Sequence, residues 1–68
     1  MSRPLYPNLC AEMARNGESA EDLAKLLNVA SLTVYNKLNG NTDFKLTEIN
    51  TICEHYNSDY YTLFVKGE

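Results

Sequence analysis

Apolar residues recur at intervals of three and four along most of the chain, the spacing that places side chains on one face of an α-helix. This pattern predicts five short helices with the apolar faces Leu9, Cys10, Met13 and Ala14; Leu23, Ala24, Leu26 and Leu27; Val34 and Leu38; Ile49, Ile52, Cys53 and Tyr56; and Tyr60, Leu63 and Phe64. No segment shows the strict apolar–polar alternation that is typical of β-strands. The sequence therefore predicts an all-α fold.

Residues that start or stop helices separate the first apolar segments. Pro7 suits the first turn of a helix, and Asn16-Gly17 provides a stop because glycine readily adopts the left-handed conformation. Ser19 followed by Asp22 has the form of a capping box, so the second helix is expected to start at Ser19. Asn28 tolerates positive φ better than most residues and is expected to close that helix.

The third helix is expected to run from about Ser31 to Leu38 and to have Ala30 or Ser31 as its cap. Val34 and Leu38 are four residues apart and should both face the core. The segment Asn39-Gly40-Asn41 then forms a turn.

The fourth and fifth helices follow a short loop, which Phe44 and Leu46 are expected to anchor to the core. Asn57-Ser58 interrupts the apolar pattern and ends the fourth helix. Asp59 is then expected to cap the short final helix.

Length and composition are those of one small domain. The chain has 68 residues, 44% of them hydrophobic, and we expect residues 1–68 to form a single domain with an N-terminal arm at 1–5 and a C-terminal tail at 65–68. No apolar run approaches the roughly 20 residues that span a bilayer, and no signal-peptide core precedes the first helix. We expect a cytoplasmic protein with no membrane partner.

The residues that most often carry catalysis or bind metals are sparse. Cys10 and Cys53 lie on apolar helical faces, where we expect reduced cysteines that behave as small hydrophobic residues, with a disulfide between them as the alternative. These two with His55 fall short of the ligand set of a structural zinc site. His55 is expected at the surface. We expect no enzymatic activity, no cofactor and no small-molecule ligand.

The segment from Asp22 to Gly40 predicts two short helices joined by a tight turn, with small Ala24 on the first and β-branched Val34 on the second. Together with the flanking helices, from about Tyr6 to Phe64, it resembles the Cro/CI-type helix-turn-helix family, also called lambda-repressor-like or XRE. The resemblance implies a five-helix DNA-binding domain with its helix-turn-helix at helices 2 and 3. It also implies sequence-specific binding of a double-stranded DNA operator by a small, phage-like repressor.

In the resembling family, residues at the start and on the outer face of the third helix enter the major groove. By position these are Ser31, Leu32 and Asn36, with Tyr35 at the margin. Their chemistry suits this role, since an asparagine amide matches the adenine edge, serine pairs with several bases, and an apolar side chain contacts the thymine methyl group. A surface helix whose polar residues only remain hydrated is the alternative interpretation.

Net charge is −3 for the whole chain, but its distribution is uneven. Residues 23–47 have three lysines against one aspartate, whereas the segments on both sides are acidic. We expect the DNA backbone contacts to come from this positive segment, through Lys25, Lys37, Asn39, Asn41 and Lys45.

The chain departs from the family at Ala20, where a glutamine that contacts the DNA backbone is common. Glu18, Glu21 and Asp22 surround that position, and carboxylates near phosphate groups repel them. A protein-interaction module on a helix-turn-helix scaffold, such as an antirepressor or a regulator subunit, is therefore the second hypothesis.

The C-terminal segment has more apolar and aromatic residues than one short helix buries in its own domain. Leu63 and Phe64 are expected to complete the core. Tyr61 and Val65 are then candidates for the interface of a homodimer, because aromatic residues are enriched at such interfaces.

Overall fold

A computed structural model describes residues 5–67 and contains five helices and no strand in that range. They are α1 (Pro7–Arg15), α2 (Ala20–Leu27), α3 (Ser31–Leu38), α4 (Leu46–His55) and α5 (Tyr60–Leu63). The all-α prediction is confirmed. Positions 1–4 of the expected arm and position 68 of the expected tail lie outside the described residues. None of the described helices is long and apolar enough to cross a membrane.

The helix ends follow from local side-chain chemistry. The backbone amide of Ser19 donates a hydrogen bond of 2.8 Å to the Asp22 carboxylate in the first turn of α2. Asn28 ends the same helix with φ of 58°, the left-handed conformation expected for it. At α5, the carboxylate of Asp59 accepts a hydrogen bond of 2.7 Å from the Thr62 amide. These caps satisfy backbone groups that a helix leaves without partners at its ends.

An aromatic cluster joins three distant parts of the chain. The rings of Tyr6, Phe44 and Phe64 meet edge to face, with centroids 5.3–5.7 Å apart. The rest of the buried apolar core comes from all five helices: Leu9, Met13, Ala20, Leu23, Ala24, Val34, Ile52 and Leu63.

The helices are unequally attached to one another. α2 packs against both α3 and α4, and α5 packs against both α1 and α4. Across the described residues, α2 is the only helix with which α3 shares close backbone contacts. α3 buries Val34 and Lys37 on its inner side and leaves Leu32 and Tyr35 exposed on its outer side.

Leu46 does not anchor the loop before α4, as the sequence predicted. It is the first residue of α4 and is 71% exposed, whereas Phe44 is 8% exposed. Phe44 occupies the core at this turn as part of the aromatic cluster, so one anchor holds the loop.

The two ends of the described chain meet on the core. Leu5, which the sequence assigned to the arm, packs against the core, and its carbonyl accepts a hydrogen bond of 2.8 Å from the Gly67 amide. Cys10 and Cys53 are half-buried and are not joined in a disulfide. Cys53 packs against the core as a small hydrophobic residue.

Candidate nucleic-acid interface

α2 and α3 form the surface on which the predicted DNA contacts lie. Ala24 on α2 and Val34 on α3 are both buried, 5% and 0% exposed, which fixes the inward side of each helix. The Val29 amide donates to the Ala24 carbonyl at 3.0 Å and closes the end of α2, so a short connection suffices before α3 begins.

The four residues predicted to contact bases all lie on α3, between its first residue, Ser31, and Asn36. Leu32 is 68% exposed and Tyr35 is 44% exposed, whereas Ser31 and Asn36 are half-buried. The Asn36 side-chain oxygen lies 3.4 Å from the Asn41 side-chain nitrogen, a long contact that leaves the Asn36 amide able to take other partners. The outer surface of α3 thus presents an apolar and an aromatic side chain beside two polar ones.

Tyr35 also makes a contact that the sequence did not predict. Its hydroxyl donates a hydrogen bond of 3.2 Å to the Glu21 carboxylate, which links the outer surface of α3 to the first turn of α2. The backbone amide of Glu21 and the hydroxyls of Ser19 and Tyr35 lower the pKa of Glu21. The pKa of Tyr35 is raised because its hydroxyl donates to the ionised Glu21. No local spacing rule relates residues 14 positions apart, so this contact needed the folded chain.

Four of the five predicted DNA backbone contacts lie at the surface. They are Lys25, Asn39, Asn41 and Lys45, all exposed. Asn39 and Asn41 flank Gly40, whose φ of 85° turns the chain at the end of α3.

Lys37 was predicted to contact the DNA backbone, but its side chain is buried inside the domain. Its side chain is 7% exposed and forms a salt bridge with Glu48 of α4, which is 11% exposed. Its ammonium also lies 6.0 Å from the centre of the Phe44 ring. Because Lys37 follows Val34 by three residues, it shares the inward side of α3 and is not free to reach a phosphate group.

The Glu48 carboxylate, at the start of α4, accepts hydrogen bonds from two groups. It accepts from the Lys37 ammonium and, at 2.8 Å, from the Lys45 backbone amide. Burial acts to raise the pKa of Glu48, but these hydrogen bonds and the charges of both lysines outweigh burial and lower the pKa. The ion pair ties the end of α3 to the start of α4.

Two of the acidic residues around α2 have side-chain or backbone partners. The Glu18 carboxylate lies 3.0 Å from His55 Nε2, and Asp22 is held by Ser19. Ala20, the position at which the resembling family commonly has glutamine, is buried and 5% exposed. Glu21 is left as the exposed carboxylate that faces α3.

The expected dimer residues are exposed at the opposite end of the chain. Tyr61 is 83% exposed and Val65 is 49% exposed, and the Tyr61 ring meets the half-exposed Tyr60 ring edge to face. A cavity of about 270 Å³ opens beside them, between the aromatic cluster and the exposed side chains of Asp43 and Lys66.

Within residues 5–67, no three histidine, cysteine, aspartate or glutamate side chains are grouped as metal ligands would be. Comparison with protein-family models, with curated proteins and with solved structures gives no match.

Proposed function

We propose that this protein is a small Cro-like transcriptional regulator that binds double-stranded DNA and places α3 in the major groove of its operator. The observation that carries the proposal is the exposure of α3, which packs on α2 and presents Leu32 and Tyr35 to solvent beside polar residues. A major groove about 12 Å wide admits such a helix.

The side chains on this surface suit the edges of base pairs. Asn36 offers a donor and an acceptor to adenine, Ser31 pairs with several bases, and Leu32 contacts a thymine methyl group. Lys25 and Lys45, with the amides of Asn39 and Asn41, supply contacts to the phosphate backbone.

We propose further that the regulator acts as a homodimer on a palindromic operator. Tyr61 and Val65 are exposed apolar side chains that a second copy would cover. Two-fold symmetry then places the two copies of α3 about 34 Å apart, one turn of the duplex. Sedimentation with and without DNA tests this, and a monomer that binds a single half-site contradicts it.

Selection of binding sequences from a random duplex pool, followed by one substitution, tests the base-reading surface. A palindromic consensus is expected. Asn36→Ala should then weaken operator binding by about 1–3 kcal/mol and relax the preference at one base pair in each half-site. Asn50→Ala, the same change on an exposed position of α4, is the control and should leave both unchanged.

The second candidate function is that of a protein-interaction module, such as an antirepressor. Leu32 and Tyr35 form an exposed apolar pair. Ala20 lacks the polar donor that the resembling family commonly has at this position, and Glu18, Glu21 and Asp22 place negative charge around it. Failure of the wild-type protein to select any sequence, at low salt as well as at physiological salt, would favour this function.

A further inference from the structure

One hydrogen bond links Glu21 at the start of α2 to the outer surface of α3. The Tyr35 hydroxyl donates to Glu21 Oε1 at 3.2 Å, and both residues are exposed. The carboxylate therefore lies on the same side of the molecule as the residues proposed to meet DNA. A negative charge held in that place requires an explanation, because phosphate groups would repel it.

We propose that Glu21 reads a cytosine by accepting a hydrogen bond from its exocyclic amine, and that Tyr35 is the positioning residue that holds the carboxylate in place. This inference rests on the proposed function, since it assigns a base preference to the same surface. It adds a specificity-determining residue on α2 to those on α3.

The ionisation of Glu21 determines which bases it accepts. A glutamate side chain is a carboxylate at neutral pH, and the hydrogen bonds that lower the pKa of Glu21 favour this form further, so it accepts hydrogen bonds and donates none. Tyr35 uses one of the carboxylate oxygens, and an ionised carboxylate has about four acceptor positions, so further donors are accommodated.

Cytosine is the base that fits this acceptor best. In the major groove it presents only the amine at N4, whereas adenine places an acceptor at N7 beside its amine. Guanine and thymine present acceptor oxygens, which would leave the carboxylate desolvated and without a partner. Glu21 therefore favours cytosine and disfavours the other bases, in the way that repulsive contacts contribute to specificity.

Tyr35 supports this role through its hydroxyl. Without that donor, Glu21 loses its link to the outer surface of α3, and the base preference weakens although the carboxylate remains. A positioning role thus predicts that Tyr35→Phe and Glu21→Gln affect the same base pair, which a structural role in the fold does not.

The test is selection from a random duplex pool with four proteins: wild type, Glu21→Gln, Tyr35→Phe and Glu54→Gln. The last is the matched control, because it removes one negative charge from an exposed position on α4. Circular dichroism verifies that each variant is folded. Affinities are then measured for the selected duplex and for duplexes that carry each other base at the cytosine position.

The wild type should select cytosine at one position in each half-site and prefer it about tenfold or more over other bases. Glu21→Gln should lose that preference or shift it to adenine, Tyr35→Phe should reduce it at the same position, and Glu54→Gln should retain it.

Three outcomes overturn the inference. If Glu21→Gln and Glu54→Gln raise the affinity for all sequences alike with an unchanged consensus, Glu21 acts only as a charge. If Tyr35→Phe changes a different base pair, Tyr35 does not position Glu21. If the wild type selects no sequence, the proposed function fails, and this inference fails with it.

Discussion

Replacement of Lys37 with methionine removes one partner of the buried ion pair and keeps most of the apolar stem of the side chain. The Glu48 side chain, which is 11% exposed, then keeps only the hydrogen bond from the Lys45 amide. Loss of one partner of a buried pair costs about 3–5 kcal/mol, because the other charge stays desolvated. We expect the lower value, about 3 kcal/mol, since the amide still donates to the carboxylate.

A loss of that size is large for this chain. Stabilities of about 0.05–0.15 kcal/mol per residue imply about 3–10 kcal/mol for a domain of this length. The melting temperature of Lys37→Met should therefore fall by more than about 12 °C. Lys37→Met combined with Glu48→Gln should recover much of the loss, because the neutral glutamine is cheaper to bury and still accepts from the Lys45 amide.

Urea unfolding followed by circular dichroism measures the four proteins of this double-mutant cycle. The coupling energy should be about 2 kcal/mol and nearly independent of salt, since buried pairs are weakly screened. A change within about 0.5 kcal/mol for Lys37→Met would contradict the buried ion pair. Lys37 would then be a free surface lysine in solution, and its predicted contact with the DNA backbone would be available again.

The same cycle has a pH dependence of known sign. The pKa of Glu48 is lowered in the folded protein, below its unfolded value of about 4.3. The contribution of the pair to stability is therefore complete above that pH and is lost as the pH falls through the lower folded pKa. The wild type should lose stability in this acid range, and the double variant should lose less.

Three further substitutions test the backbone and the core by urea unfolding. Gly40→Ala should destabilise the protein by about 1–2 kcal/mol, because φ of 85° is unfavourable for a residue with a Cβ atom, and a smaller effect would mean that the turn relaxes. Asn28→Val should cost more than about 1 kcal/mol at φ of 58°, whereas a neutral result would contradict the left-handed cap. Tyr56→Phe should leave stability unchanged or higher, because the Tyr56 hydroxyl is buried with no hydrogen-bond partner among the described residues, and a clear loss would reveal a partner. Burial and the nearby Glu18 charge raise the pKa of Tyr56, so ionisation of its hydroxyl opposes folding. The wild type should therefore lose stability as the pH rises above the unfolded pKa of about 10, and Tyr56→Phe should lose less.

The helices were predictable because their signals are local. Ser19, Asn28 and Asp59 each act on backbone groups within a few residues, so their roles are visible in the sequence. The contacts that join helices were not predicted from such signals. The Glu21–Tyr35 hydrogen bond depends on the angle at which α3 meets α2, which no spacing in the sequence specifies.

Lys37 and Leu46 were misplaced for a different reason. Hydrophobicity alone puts the lysine outside and the leucine inside, but helical position puts Lys37 beside Val34 on the inner side of α3. That spacing indicated that Lys37 faces inward, but it did not indicate that Glu48 on another helix is its partner. For Leu46, the nearby Phe44 is the residue that enters the core, where its ring contacts that of Tyr6.

The edge-to-face rings of Tyr6, Phe44 and Phe64 also determine when this chain is able to fold. Tyr6 lies just before α1 and Phe64 just after α5, so this cluster lacks a member until the chain has been synthesised through Phe64. The individual helices are too short to be stable before that point. These residues therefore acquire their stability in one cooperative step after Phe64 has been made, and a fragment that ends before Phe64 should be degraded rather than function as a shorter version of the domain.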